Sequence, residues 1–173
     1  MNIEYTHLLP VGFDPESKVW IYQCSRMFGM IEALKIEETL ENFVADWKSH
    51  GAPVKGFATI FFGRFVVLMA DETVATIGGC SMDTISHLIQ SIEKEYKVTL
   101  LDRQTLGFVM KDKVELLPLQ QVQYAIDNGF INADTLYFNN LVATQKQLST
   151  EWIQPVKDSW LAKRYKLSAA NTL

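Results

Sequence analysis

Phe57-Ala58-Thr59-Ile60-Phe61-Phe62, then Gly63-Arg64, then Phe65-Val66-Val67-Leu68-Met69-Ala70 is the stretch on which the fold turns. Two apolar runs rich in β-branched and aromatic residues, joined by so short a connector, predict a β-hairpin. Upstream, apolar Leu34, Leu40, Phe43, Val44 and Trp47 recur at steps of three and four between Met30 and His50, while charges fill the other face. That period predicts a long amphipathic helix stopped by Gly51 and Pro53. Before it, Val19-Trp20-Ile21-Tyr22-Gln23 reads as a strand, and Cys24 to Gly29 turns the chain. Downstream, a loop from Asp71 to Gly79 leads into a helix over Ser81 to Tyr96, with Met82, Ile85, Leu88, Ile89 and Ile92 as its buried stripe. Leu106 to Met110 and Val114 to Leu117 then flank Lys111-Asp112-Lys113 as another hairpin.

The order strand, helix, strand, strand, helix, strand is the ferredoxin-like βαββαβ pattern, an antiparallel sheet with helices on one face. The expectation is therefore an α+β protein, with residues 1–117 as a ferredoxin-like module. Beyond Pro118 a short helix from Leu119 to Asn128 ends at Gly129, Thr135 to Phe138 forms a strand stub, and Asp158 caps a last helix. Trp152 and Trp160 are large enough to demand burial. Residues 118–173 are accordingly expected as a C-terminal α/β extension packed on the module in a single compact body.

The 173 residues are 48% hydrophobic and 21% charged, an ordinary balance for a chain that folds on its own core. A net charge of −4 gives no overall attraction for phosphate backbones or anionic lipid, so a nucleic-acid partner is not expected. The N-terminal stretch MNIEYTHLLPVG lacks a basic start and an apolar run, and no segment approaches the ~18 apolar residues of a membrane span. Two cysteines, Cys24 and Cys80, lie far apart and without CxxC spacing, which fits a reducing, cytoplasmic location. His7, His50 and His87 have no HxH or HExxH spacing, and the chain carries no GxxxxGK[ST] and no GxGxxG. Neither a metal nor a cofactor is expected.

The local feature richest in chemistry is Gly78-Gly79-Cys80-Ser81-Met82-Asp83, two glycines running straight into a helix. Glycines let a ligand approach the backbone, and the first amides of a helix point at any anion placed there, so Gly78, Gly79, Ser81 and Asp83 are candidate ligand-binding residues. The same helix end favours the thiolate of Cys80. In the expected topology His50, Asp71 and Glu72 gather at this edge. Cys80 is then a candidate nucleophile, His50 its base and Asp71 or Glu72 the orienter. These residues also have a purely structural reading, in which the glycines form a loop, Ser81 caps the helix, Asp83 complements its dipole, Cys80 is a small core residue and His50 ends the preceding helix.

HGAPVKG at 50–56, RFVVLMADE at 64–72, GGCSMDTISHLIQSIEKEY at 78–96, LLDR at 100–103 and DTLYFNN at 134–140 resemble an uncharacterised bacterial family, mainly from the Bacteroidetes. Some of its members carry the automatic label "ABC transporter ATPase". Such an ATPase needs a phosphate loop, and this chain has an apolar strand followed by Asp71-Glu72 but no such loop, so the resemblance implies no ATPase activity. It implies only that these positions belong together. The expected function is a non-catalytic cytoplasmic module that binds a small anionic ligand or a protein partner. A small thiol-dependent enzyme or redox sensor using Cys80 is the alternative, and a homodimer through an open sheet edge is compatible with either.

Overall fold

A computed structural model describes residues 1–73 and 76–167, with the backbone alone at Cys80 and Ser81. The protein is α+β with antiparallel sheets. The chain divides into two compact units, one formed by Asn2–Asp102 with Asn140–Ser149, the other by Met1, Arg103–Asn139 and the residues from Thr150 onward. The division expected at residue 118 thus falls at Arg103, and a ten-residue return segment belongs to the first unit.

In the first unit, β1 (Lys18–Gln23), β4 (Lys55–Phe61) and β5 (Phe65–Asp71) form a sheet in the order β1-β5-β4. The expected hairpin is β4–β5, with Phe61 opposite Phe65 and the turn one residue earlier than read, at Phe62-Gly63, both at positive φ. All seven residues of β5 are buried. On one face Val66, Leu68 and Ala70 pack with Tyr22 against α1 (Met30–Asp46) and α2 (Gly79–Tyr96). From α2 the predicted Ile85, Leu88, Ile89 and Ile92 enter this core, and from α1 the predicted Leu40 and Phe43 join it with Ile36, whereas Leu34 is 66% exposed. The other face, from Val19, Ile21, Val67 and Met69, is also buried. Tyr5 meets Phe61 and Phe62 edge-on, and its hydroxyl donates to the Leu148 carbonyl, so the N-terminal and return segments meet beside this sheet.

The four-stranded βαββαβ sheet expected from the sequence is not formed: β1, β5 and β4 make a three-stranded antiparallel sheet, and the strand expected as the fourth lies in another sheet. Thr105–Met110 (β6) pairs instead with β7 (Lys113–Pro118) and β8 (Leu136–Phe138), because its apolar alternation Leu106, Phe108, Met110 serves the core of the second unit. The outer edge of β1 is taken by the return segment, where the Val19 amide donates to the Ala143 carbonyl and the Gln145 amide to that of Ser17.

Helix α1 also ends at Asp46, four residues short of the expected His50. Trp47 is extended, and β2 (Lys48–Ser49) pairs with β3 (Ala52–Pro53) through a turn at His50-Gly51 with φ of 51° and 82°. Two positive φ values make the tight hairpin turn that right-twisted strands prefer, which ends the helical period even though Trp47 lies in phase with it. The start of α1 is neutralised by Glu32, which accepts from the Gly29 amide at 2.7 Å and pairs with both terminal nitrogens of Arg26. The Arg26 guanidinium, followed by the Gly29 bond, holds the Glu32 carboxyl down at about 2.

The second unit is a sheet in the order β7-β6-β8-β9, the last strand being Ile153–Pro155. Phe108 lies beside Tyr137 with ring centroids 5.6 Å apart, over a core shared with α3 (Val122–Asp127) and α5 (Leu161–Arg164). Between the last strands comes α4 (Gln145–Glu151), whose residues up to Ser149 belong to the first unit. Trp152 is buried as expected, edge-on to Phe138, and Trp160 donates its indole N–H to the Tyr137 hydroxyl at 3.0 Å. Helix α5 starts after Ser159, whose hydroxyl accepts from the Leu161 amide, and not at Asp158.

In the first unit Trp47 lies against the α-carbon of Gly56, and a Cβ there would stand 2.7 Å from its ring. The indole is buried and held by Phe43 at 5.1 Å and Trp20 at 6.2 Å, ring centroid to ring centroid. Gly56→Ala is expected to destabilise the fold by about 1–3 kcal/mol through overpacking, read as a lower urea midpoint with unchanged slope.

Candidate functional site

The residues singled out in the sequence other than His50 lie between Asp71, the last residue of β5, and Asp83 in the first turns of α2, and the β2–β3 turn brings His50 against Gly78. An ideal Cβ on Gly78 would lie 2.5 Å from His50 Nε2, so the imidazole rests against the glycine that precedes α2. Gly78, with φ of −93°, is the N-cap of the helix, which begins at Gly79 and not at Ser81 as the period suggested. Ser81 is thus the third helical residue, and Asp83, the fifth, is exposed.

Helix α2 differs from α1 at its start: its N-cap is Gly78, which has no capping side chain, and its first turn holds no acidic residue, whereas α1 has Glu32 there. Eighteen residues of aligned peptide dipoles leave partial positive charge at that end, on amides that have no partner within the helix. His50 makes no hydrogen bond or ion pair among the described residues, so its imidazole is a second polar group at the same spot. The side chains of Cys80 and Ser81, on which the nucleophile and a ligand contact were expected, lie outside the described residues.

The two carboxylates do something other than orient a base. Asp71 is 1% exposed and accepts from the Lys55 ammonium at 2.7 Å, the Thr73 hydroxyl at 2.6 Å, the Thr73 amide at 3.0 Å and the Asp14 amide at 3.3 Å. Lys55 also reaches the Gly12 carbonyl and sits 4.8 Å over the Phe13 ring. Glu72 accepts from Lys18 at 2.9 Å and from the Ile77 amide at 2.7 Å. None of these bonds runs to His50. The Lys55 ammonium, then Thr73, hold the Asp71 carboxyl well below its ordinary 3.8. Burial pulls Glu72 upward, but the bonds from Lys18 and Ile77 outweigh it and leave it lowered.

Ser49, unmarked in the sequence, completes the frame. Its buried hydroxyl donates to the Thr76 carbonyl at 2.6 Å and accepts from the Gly78 amide at 3.4 Å. The loop is therefore pinned at Asp71, Glu72 and Ser49, and the pins fix where Gly78 meets His50. Lys18, Ser49 and Lys55 gave no sequence signal because their partners are set by strand pairing, with Lys55 opposite Asp71 across β4–β5.

Among the described residues no group of three or more His, Cys, Asp and Glu is placed to hold a metal ion, and no helix is long and apolar enough to cross a membrane. No family model matches the chain, and no curated protein or solved structure matches it either.

Because the folded Asp71 carboxyl titrates below its unfolded value, its contribution to stability is present above about pH 4 and lost as pH falls below it. Asp71→Asn is expected to lower stability at neutral pH by about 1–3 kcal/mol, the range for losing hydrogen bonds to a charged group. It should also flatten the acid limb of stability against pH. Denaturant midpoints measured from pH 7 to pH 2.5 check both effects.

Proposed function

We propose that the chain is a non-catalytic, cytoplasmic module that binds a small anionic ligand at the start of α2. The observation that carries the reading is the contact of the His50 imidazole with Gly78, the glycine N-cap of a helix whose first turn holds no acidic residue. An anion seated there meets the amides of Gly79, Cys80 and Ser81 and the imidazole N–H together. The catalytic alternative is weakened because the two carboxylates it needed as orienters, Asp71 and Glu72, are bound to Lys55 and Lys18.

Inorganic phosphate, titrated into the 15N-labelled protein, is expected to saturate and to shift the amide resonances of Gly79 to Ser81. His50→Ala should weaken it by about fivefold, as for one hydrogen bond. Gly78→Ala should do the same by pushing the ring aside. The reading fails if phosphate does not saturate, or if both variants bind it like the parent.

A second reading, a protein partner or a second copy of the chain, is supported by Met27, Met30, Ile31 and Leu34, which are exposed. Met30, Ile31 and Leu34 lie on the first turns of α1, with Met27 just before the helix, so apolar side chains are turned toward water around the helix start.

The thiols separate the enzyme alternative from both. Cys24 is fully buried, and burial pushes its thiol up, so it is expected to resist iodoacetamide until the protein unfolds. Any alkylation of the native protein then reports Cys80, as Cys80→Ser will show. A rate that titrates well below the ~8.5 of a free thiol would restore the thiol-dependent reading.

A further inference from the structure

The second unit holds a cavity of ≈ 410 Å³ at the rim of its core, lined chiefly by Met110, Lys111, Glu115, Leu117, Tyr124 and Phe130. We infer that this cavity binds a small zwitterion with an apolar body, of the class of an aromatic or large aliphatic α-amino acid.

Three observations meet here. The first is the register of the edge strand. Glu115 lies opposite Phe108, which in turn lies opposite Tyr137, so the carboxylate stands on the face of the sheet that carries the core. Alternation reserves that position for an apolar side chain. The second is the pair of rings. Tyr124 and Phe130 are 66% and 60% exposed, while the neighbouring Phe108, Tyr137 and Ile131 are buried, so two aromatic faces are held in water beside the cavity. The third is charge. Lys111, at the hairpin turn with φ of 49°, and Glu115 are the two charged residues of the lining, and they form no ion pair with each other. Opposite charges that share a cavity without neutralising each other are complementary to a ligand carrying both signs.

The assignment of groups follows from this chemistry. The ligand's ammonium goes to Glu115, beside ring faces that attract cations. Its carboxylate goes to Lys111. Its hydrocarbon lies on Met110 and Leu117, which belong to the floor of the unit's core. The volume falls within the range of small-molecule sites and suits one such molecule.

L-phenylalanine, phenethylamine and 3-phenylpropionate share one hydrocarbon body and differ only in charge. Each is titrated into the 15N-labelled full chain. L-phenylalanine is expected to bind at least about fivefold more tightly than either single-charge probe, the ratio set by one charge-assisted bond. Shifts should centre on residues 110–130 and spare the amides of 79–81, which separates this site from the anion site at α2. Glu115→Gln should abolish the advantage over 3-phenylpropionate, and Lys111→Gln the advantage over phenethylamine. Both side chains are exposed, so the variants should keep the parent's thermal midpoint. The inference is overturned if no probe saturates, if either single-charge probe binds as well as L-phenylalanine, or if neither variant alters the ranking.

Discussion

Burial of β5 on both faces is the constraint from which the rest of the first unit follows. A run of seven buried residues cannot sit in a two-layer sheet with one face in water. The helices α1 and α2 cover one side. The other side is also closed, with the N-terminal segment and residues 140–149 meeting through the bond from Tyr5 to Leu148. The β4–β5 hairpin, the packing of α1 and α2 and the return of the chain after residue 139 serve one demand, to keep Phe65 to Asp71 out of water.

The end of that strand explains why the candidate site is shaped as it is. A buried aspartate closing an apolar strand must have its charge satisfied, and Lys55, Thr73 and Asp14 do so. Glu72 holds the Ile77 amide and Ser49 holds Thr76 and Gly78, and α2 starts where these bonds allow it. Residues that look catalytic as a set are thus divided by role, the carboxylates holding the loop while His50 and the helix start remain turned to each other.

What was legible in the sequence was what local periodicity encodes. The β4–β5 hairpin, the stripe of α2 and the β6–β7 hairpin depend on residues at most a few turns apart, and their patterns are unbroken. The end of α1 was not legible, because Trp47 continues the helical phase while the backbone has already turned. Nor was the allegiance of β6, decided by the pairing of Phe108 with Tyr137 twenty-nine positions later. The return segment has apolar residues at Leu141, Val142, Ala143 and Leu148, which show no period, and only Val142 and Leu148 of these are buried. At the site, the meeting of His50 with the loop could be read, while the partners of Asp71 and Glu72 could not, since cross-strand neighbours set them.

The interleaving of the two units has a consequence for synthesis on the ribosome. The first unit holds most of its residues by Asp102, but the strip that lies along β1 arrives only with residues 140–149. Between those points the exit tunnel delivers 103–139, most of another unit whose own last strand follows at Ile153–Pro155. Neither unit can finish before the other is nearly made. During elongation the nascent chain therefore passes through an interval in which the backbone donors and acceptors on the outer side of β1 await their partner, and an added strand from another polypeptide would meet the same geometry.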